Sequence, residues 1–126
     1  MSLNVHVVKK HAEYGDVEAF NWKFEEFHSF LDALGCDVSA EDDYAENFEC
    51  GEDNYEDALN FLKVYKEKGA DCKEVKKFFK ENVDYTIGEL EQDLETLGGL
   101  DYVLQAMQML WDEREKDYGW ISFSAW

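Results

Sequence analysis

The chain has 126 residues, and its 30 Asp and Glu outnumber 12 Lys and Arg to give a formal net charge of −18 at pH 7. That length fits a single domain spanning 1–126, and apolar residues at 45% with aromatics at 16% exclude wholesale disorder. Such a charge repels phosphate backbones and anionic bilayers, which sets direct nucleic-acid binding and membrane docking aside and favours a basic protein surface as partner.

In chain order, Leu3, Val5 and Val7 alternate with Asn4 and His6, the pattern of a half-buried strand, predicted over 3–12. Tyr14-Gly15-Asp16 reads as a turn. Beyond it two readings compete. Val17, Phe20, Phe24, Phe27, Leu31 and Leu34 fit one helix face, while Phe20, Trp22 and Phe24 alternate as in a strand. A helix through 17–34 has to bury Trp22 and Phe30 off its stripe, so the preferred reading is a hairpin of 3–12 with 17–24, then a helix over 25–34 stopped by Gly35.

The alternation of Tyr44, Glu46, Phe48 and Cys50 predicts a short strand at 44–50, placed at a sheet edge where charge discourages aggregation. Asn54 suits the cap of a helix over 54–68 that ends at Gly69, with Tyr55, Ala58, Leu62 and Tyr65 inward. Asp71 and Glu74 have capping-box spacing before a short helix carrying Val75, Phe78 and Phe79; Thr86 and Glu89 form a second box before Ile87, Leu90, Leu94 and Leu97. Gly98-Gly99 breaks the chain before 100–111, the most apolar stretch. There Leu100, Val103, Leu104, Met107, Leu110 and Trp111 make one broad stripe, taken as the wall of the core. Residues 120–126 alternate and read as a last strand paired into the sheet. The expected fold is α+β: a small antiparallel sheet of three to four strands, including the N- and C-terminal ones, packed by about five helices.

Chemistry is sparse. His6, His11 and His28 lack metal-binding spacing, no Cys-x-x-Cys pair occurs, and residues 42–47 lack the spacing of a calcium loop. Cys36, Cys50 and Cys72 are odd in number and irregular in spacing, which suits a reduced cytoplasmic protein; Cys72, beside Lys73 and Lys76, is the best placed as a nucleophile, but a small core residue is the better reading. Apolar runs are too short to span a bilayer, and nothing reads as a signal peptide. No catalytic set, cofactor or metal is expected, and the chain reads as a non-enzyme.

The charge, however, is segregated. Residues 37–57 hold ten carboxylates (Asp37, Glu41, Asp42, Asp43, Glu46, Glu49, Glu52, Asp53, Glu56 and Asp57) and no Lys or Arg, while 63–80 hold seven of the twelve bases. These stretches either face and neutralise each other, or the first joins the acids of 89–95 and 112–117 in an extended negative surface. Carboxylates spread over several helix turns occupy positions that phosphates take on DNA, and a DNA-binding enzyme would meet them with its own Lys and Arg.

Residues 14–24, Tyr-Gly-Asp-Val-Glu-Ala-Phe-Asn-Trp-Lys-Phe, follow the strand Val5-His6-Val7-Val8 in a pattern that resembles the opening of the ArdA-type antirestriction proteins. Residues 42–49, Asp-Asp-Tyr-Ala-Glu-Asn-Phe-Glu, resemble the acidic-aromatic strand of that family. The resemblance covers the N-terminal half, with Phe20-Asn21 standing where the family has Gly before its Trp. It implies an acidic DNA mimic from a mobile element that blocks restriction enzymes. The alternatives from charge alone are an immunity or adaptor protein with one specific partner, or an acidic domain that is merely soluble.

Overall fold

The computed structural model describes residues 4–8, 15–40, 47–116 and 118–125. Its elements run β1 (Val5–Val8), α1 (Phe24–Ala33), β2 (Ser39–Ala40), β3 (Asn47–Gly51), α2 (Glu52–Lys68), α3 (Lys73–Glu81), α4 (Ile87–Thr96), α5 (Leu100–Glu113) and β4 (Trp120–Ala125). Four antiparallel strands are ordered β1-β4-β3-β2, so the C-terminal strand sits in the middle of the sheet. Phe123 pairs with Val7 on one side and Phe48 on the other. The α+β architecture with five helices is the one expected.

The period of two in each strand sorts the sheet into two faces. Val5, Val7, Phe48, Cys50, Ile121 and Phe123 are almost wholly buried. Phe27 of α1 meets Phe48 and Phe123 edge-on, with ring centroids at 6.1 and 5.7 Å, and Tyr55 of α2 lies 5.8 Å from Phe123. From α5, Val103, Ala106, Met107 and Leu110 complete the core, while Leu100, Leu104 and Trp111 of the anticipated stripe are half-buried against it. Burying each such large side chain contributes about 1.5–3 kcal/mol, which explains how the fold tolerates its self-repelling charge.

Local signals set most helix ends. Thr86 Oγ1 accepts the Glu89 N–H at 3.2 Å, so the second capping box forms as anticipated. Gly35 and Gly69 follow α1 and α2 with φ of 90° and 81°, a conformation that costs glycine little. Two other caps differ from expectation. The cap of α2 is Gly51, not Asn54, because the chain turns directly from β3 into the helix with the Glu52 N–H donated to Gly119. The cap of α3 is Cys72, not Asp71, and no side chain caps it.

The predicted strand over 17–24 does not form. Within 17–24, among the described residues, Ala19 alone bridges β1, exchanging backbone hydrogen bonds with Val5 at 2.7 and 3.3 Å. Phe20 and Trp22 then take φ of 55° and 61°, a turn closes from the Lys23 N–H to the Phe20 carbonyl at 2.8 Å, and α1 begins at Phe24. Phe20 turns inward to stack on Phe27 at 4.3 Å while Trp22 stays 55% exposed. An in-and-out alternation that resembled a strand is therefore the signature of a tight turn, and the rival helix over 17–34 fails at the same residues. The strand foreseen over 3–12 is described only as β1; its residues 3 and 9–12 lie outside the described part, as do residues 44–46 of the strand predicted at 44–50 and Trp126. Nor is β3 an edge: β2 covers it. No described helix is long and apolar enough to cross a membrane.

Candidate functional site

The acidic stretch does not present one surface. Glu41, Asp42, Asp43 and Glu46 lie outside the described residues. Asp37 is exposed in the link from α1 to β2. Glu49 sits half-buried on the sheet face opposite Phe48 and Cys50, with the Ser122 hydroxyl 3.5 Å away. Glu52 opens α2 and accepts an ion pair from Arg114 at 3.2 Å. That guanidinium lies 3.6 Å over the Trp111 ring, which in turn stacks parallel on Tyr55 at 5.8 Å. Glu52 is thus part of the framework, and as a first-turn acid it also complements the helix dipole. What remains is a ridge: Asp53, Glu56 and Asp57 stand exposed on the first two turns of α2.

Asp32 is exposed near the end of α1. Burial pushes the Cys36 thiol up to about 12, and the charges of Asp57 and Asp32 add to the effect. The Cys50 thiol is raised further, first by burial. Neither thiol is ionised near neutral pH, and neither is a nucleophile there. Cys72 is half-buried at the start of α3. Among the described residues no group of three or more His, Cys, Asp or Glu is arranged to hold a metal ion.

The bases do not neutralise the ridge. Lys63, Lys66 and Lys68 are exposed on the last turns of α2, and Lys73, Lys76, Lys77 and Lys80 are exposed on α3. Lys66 pairs with Asp101 at 2.7 Å and Lys68 with Glu74 at 3.3 Å. Among the described residues, neither lysine cluster bridges to a carboxylate of 37–57, so α2 is acidic at its start and basic at its end.

A second feature was not anticipated from sequence. A groove of about 420 Å³ runs between α5 and the 15–19 segment, lined by Val17, Ala19, Tyr102, Ala106 and Met109, with Asp16, Glu18, Gln105 and Glu113 at its border. Tyr102 and Met109, two turns apart on α5, are 41% and 44% exposed. One Glu113 carboxylate oxygen accepts the Asp16 and Val17 N–H groups at 3.1 and 3.0 Å, and its other oxygen is packed against Gly15. At the far end the Phe20 N–H donates to the Tyr102 hydroxyl at 3.0 Å. The partners in these bonds are more than 80 residues apart in the chain, and only the exposed character of Tyr102 and Met109, off the α5 stripe, hinted at them.

A smaller cleft of about 240 Å³ between α1 and α4 gathers Glu25, Glu26 and Asp93. Asp93 accepts the Tyr85 hydroxyl at 2.7 Å, a bond that, after burial, holds the phenol well above its ordinary range. That carboxylate is thereby occupied in bracing the link into α4.

Compared with protein-family models, curated proteins and solved structures, the chain matches none.

Proposed function

We propose that the protein works by occupancy: it binds a basic protein surface, in its most concrete form as a DNA mimic that inhibits a restriction or other DNA-processing enzyme in the cytoplasm. The observation that carries this reading is the ridge of Asp53, Glu56 and Asp57 on the first two turns of α2. These carboxylates are exposed, and no ion pair within the described residues claims them. Such an array attracts Lys and Arg, and the attraction weakens with salt. The resemblance of the 14–24 sequence to antirestriction proteins points the same way.

A second reading is an adaptor or immunity protein with one specific partner. The groove beside α5 favours it, because an apolar centre of Tyr102 and Met109 with an acidic border is the anatomy of a specific interface. The test is DNA cleavage by a multi-subunit restriction enzyme titrated with this protein at two salt concentrations. Inhibition competitive with DNA, lost at high salt and weakened by the triple variant D53N/E56Q/D57N, is the expected result. Absence of inhibition at large molar excess refutes the antirestriction form for that enzyme.

A further inference from the structure

We infer that the groove between α5 and the 15–19 segment docks a basic amphipathic helix of the partner, which seats apolar side chains on Met109 and Tyr102 and sets Lys or Arg against Asp16 and Glu18. The inference deepens the basic-partner reading above and rests on it for the sign of the partner's charge. Three features of the groove converge.

The first is shape. Ala19 and Ala106 form a floor of small, buried side chains, so an incoming helix approaches closely. Met109 adapts to irregular surfaces through its unbranched thioether, and Tyr102 adds area at small entropic cost. The second is charge. Asp16 and Glu18 line the groove with exposed carboxylates, the Glu113 carboxylate being taken up by the Asp16 and Val17 N–H groups, and no Lys, Arg or His lines it among the described residues. An acidic or electroneutral helix gains nothing from that border, whereas a basic one does.

The third is pre-organisation. Glu113 ties the Asp16 and Val17 backbone to the end of α5, and Tyr102 ties the segment again at Phe20. The segment also bonds β1, Gly15 to Val7 just before these ties and Ala19 to Val5 between them. The strained φ of Phe20 and Trp22 is held by this framework, with Trp22 left exposed two residues beyond the Tyr102 contact. A wall already fixed in place loses little conformational freedom on binding, so apolar contact there translates into affinity.

The test uses the full chain and a Leu/Lys peptide with amphipathic helical spacing, at about 0.15 M salt so that diffuse attraction is screened. Amide chemical shifts are mapped by NMR and affinity is measured by calorimetry. The expected result is that shifts fall on 15–19 and 102–113, that a Leu/Glu peptide of the same pattern does not bind, and that M109K weakens the Leu/Lys peptide by about tenfold or more. Met109 is solvent-facing, so circular dichroism of M109K should match the parent.

The control E81Q/D84N, at exposed acids outside both ridge and groove, should retain the peptide within about twofold, and the α2 variant D53N/E56Q/D57N should cost the peptide less than M109K does. Overturning results are no binding, shifts confined to α2 or α3, unchanged affinity in M109K, or equal binding of the Leu/Glu peptide. If the α2 variant loses the peptide while M109K keeps it, the groove is refuted and the acidic-ridge reading stands. If the groove binds as described but no DNA-processing enzyme is inhibited, the mimicry reading alone falls.

Discussion

The Glu113 clamp makes a quantitative claim about how residues nearly a hundred positions apart depend on each other. Its carboxylate receives two backbone N–H groups, from Asp16 and Val17. Hydrogen bonds to a charged acceptor contribute about 1.5–3 kcal/mol when water cannot replace them. Asp16 is exposed, so water takes over its share, while Val17 is half-buried and its N–H loses most of its compensation. Glu113→Ala should therefore cost about 2 kcal/mol, a fall in Tm of about 7 °C for a domain of this size.

Gly15→Ala attacks the same contact from the other side, because a Cβ there would overlap the second carboxylate oxygen. The carboxylate can move only by releasing both N–H groups, so the single variant should lose a similar about 2 kcal/mol. Once Glu113 is already Ala, the nearest atom left to the added methyl is the Cβ of residue 113 at 3.5 Å, an ordinary contact. The double variant should then cost about 2 kcal/mol rather than about 4, a coupling near the size of either single effect. Urea and thermal denaturation of the four proteins, followed by tryptophan fluorescence, measure this cycle. Additivity within about 0.5 kcal/mol would refute the clamp and leave Gly15 and Glu113 as independent sites.

Three further outcomes follow from the same physics. Phe123→Ala, in the central strand among Phe27, Phe48 and Tyr55, should cost about 3–5 kcal/mol in urea denaturation. Trp22→Gly should raise stability by up to about 1 kcal/mol, since relief of φ 61° outweighs glycine's entropy, whereas Trp22→Ala should not; equal effects of the two would remove strain as the cause. Alkaline titration should destabilise the fold: Cys36 moves from an ordinary 9.0 up to about 12, so between those values the unfolded chain releases a proton that the folded chain keeps. Stability is then intact below pH 9 and falls by about 1.4 kcal/mol per pH unit for that thiol, with Cys50, raised in the same direction, adding to the slope; Cys36→Ser should flatten the profile.

Much of this fold is legible in the sequence because its signals are local. The α5 stripe, the Thr86 capping box and the glycines after α1 and α2 each act over a single turn or two of chain, and each appears where its residues place it. The alternation of 120–125 likewise specifies a strand, but not its central position, because strand order depends on which edges the helices leave open. Residues 17–24 mislead for a physical reason: a turn that buries Phe20 and exposes Trp22 produces the same two-residue period as a strand, and positive φ at bulky residues has no compositional signature. The groove is invisible for another. Its walls come from the 15–19 segment and α5, which only the folded chain brings together.

Net charge alone treats all the acids alike, whereas the structure divides them by whether the fold already uses them. Glu52 holds Arg114 on Trp111, Asp93 takes the Tyr85 hydroxyl, Glu113 clamps a turn and Asp101 pairs with Lys66. Removing a partly buried member of this group leaves a cation or a donor without its partner, so the cost falls on stability. Asp53, Glu56 and Asp57 stand exposed at one helix start, so their neutralisation should cost no more than the helix-dipole interaction of Asp53, at most about 1 kcal/mol, while lowering affinity for a basic partner. The contrast is measurable with one pair of proteins. If E113Q lowers Tm while D53N/E56Q/D57N leaves it nearly unchanged, the two classes are real, since Glu113 braces the fold through the Asp16 and Val17 N–H groups whereas the α2 acids hold no such bond among the described residues. If both variants lose stability alike, the ridge acids are also part of the framework, and the partner surface must be sought on the groove alone.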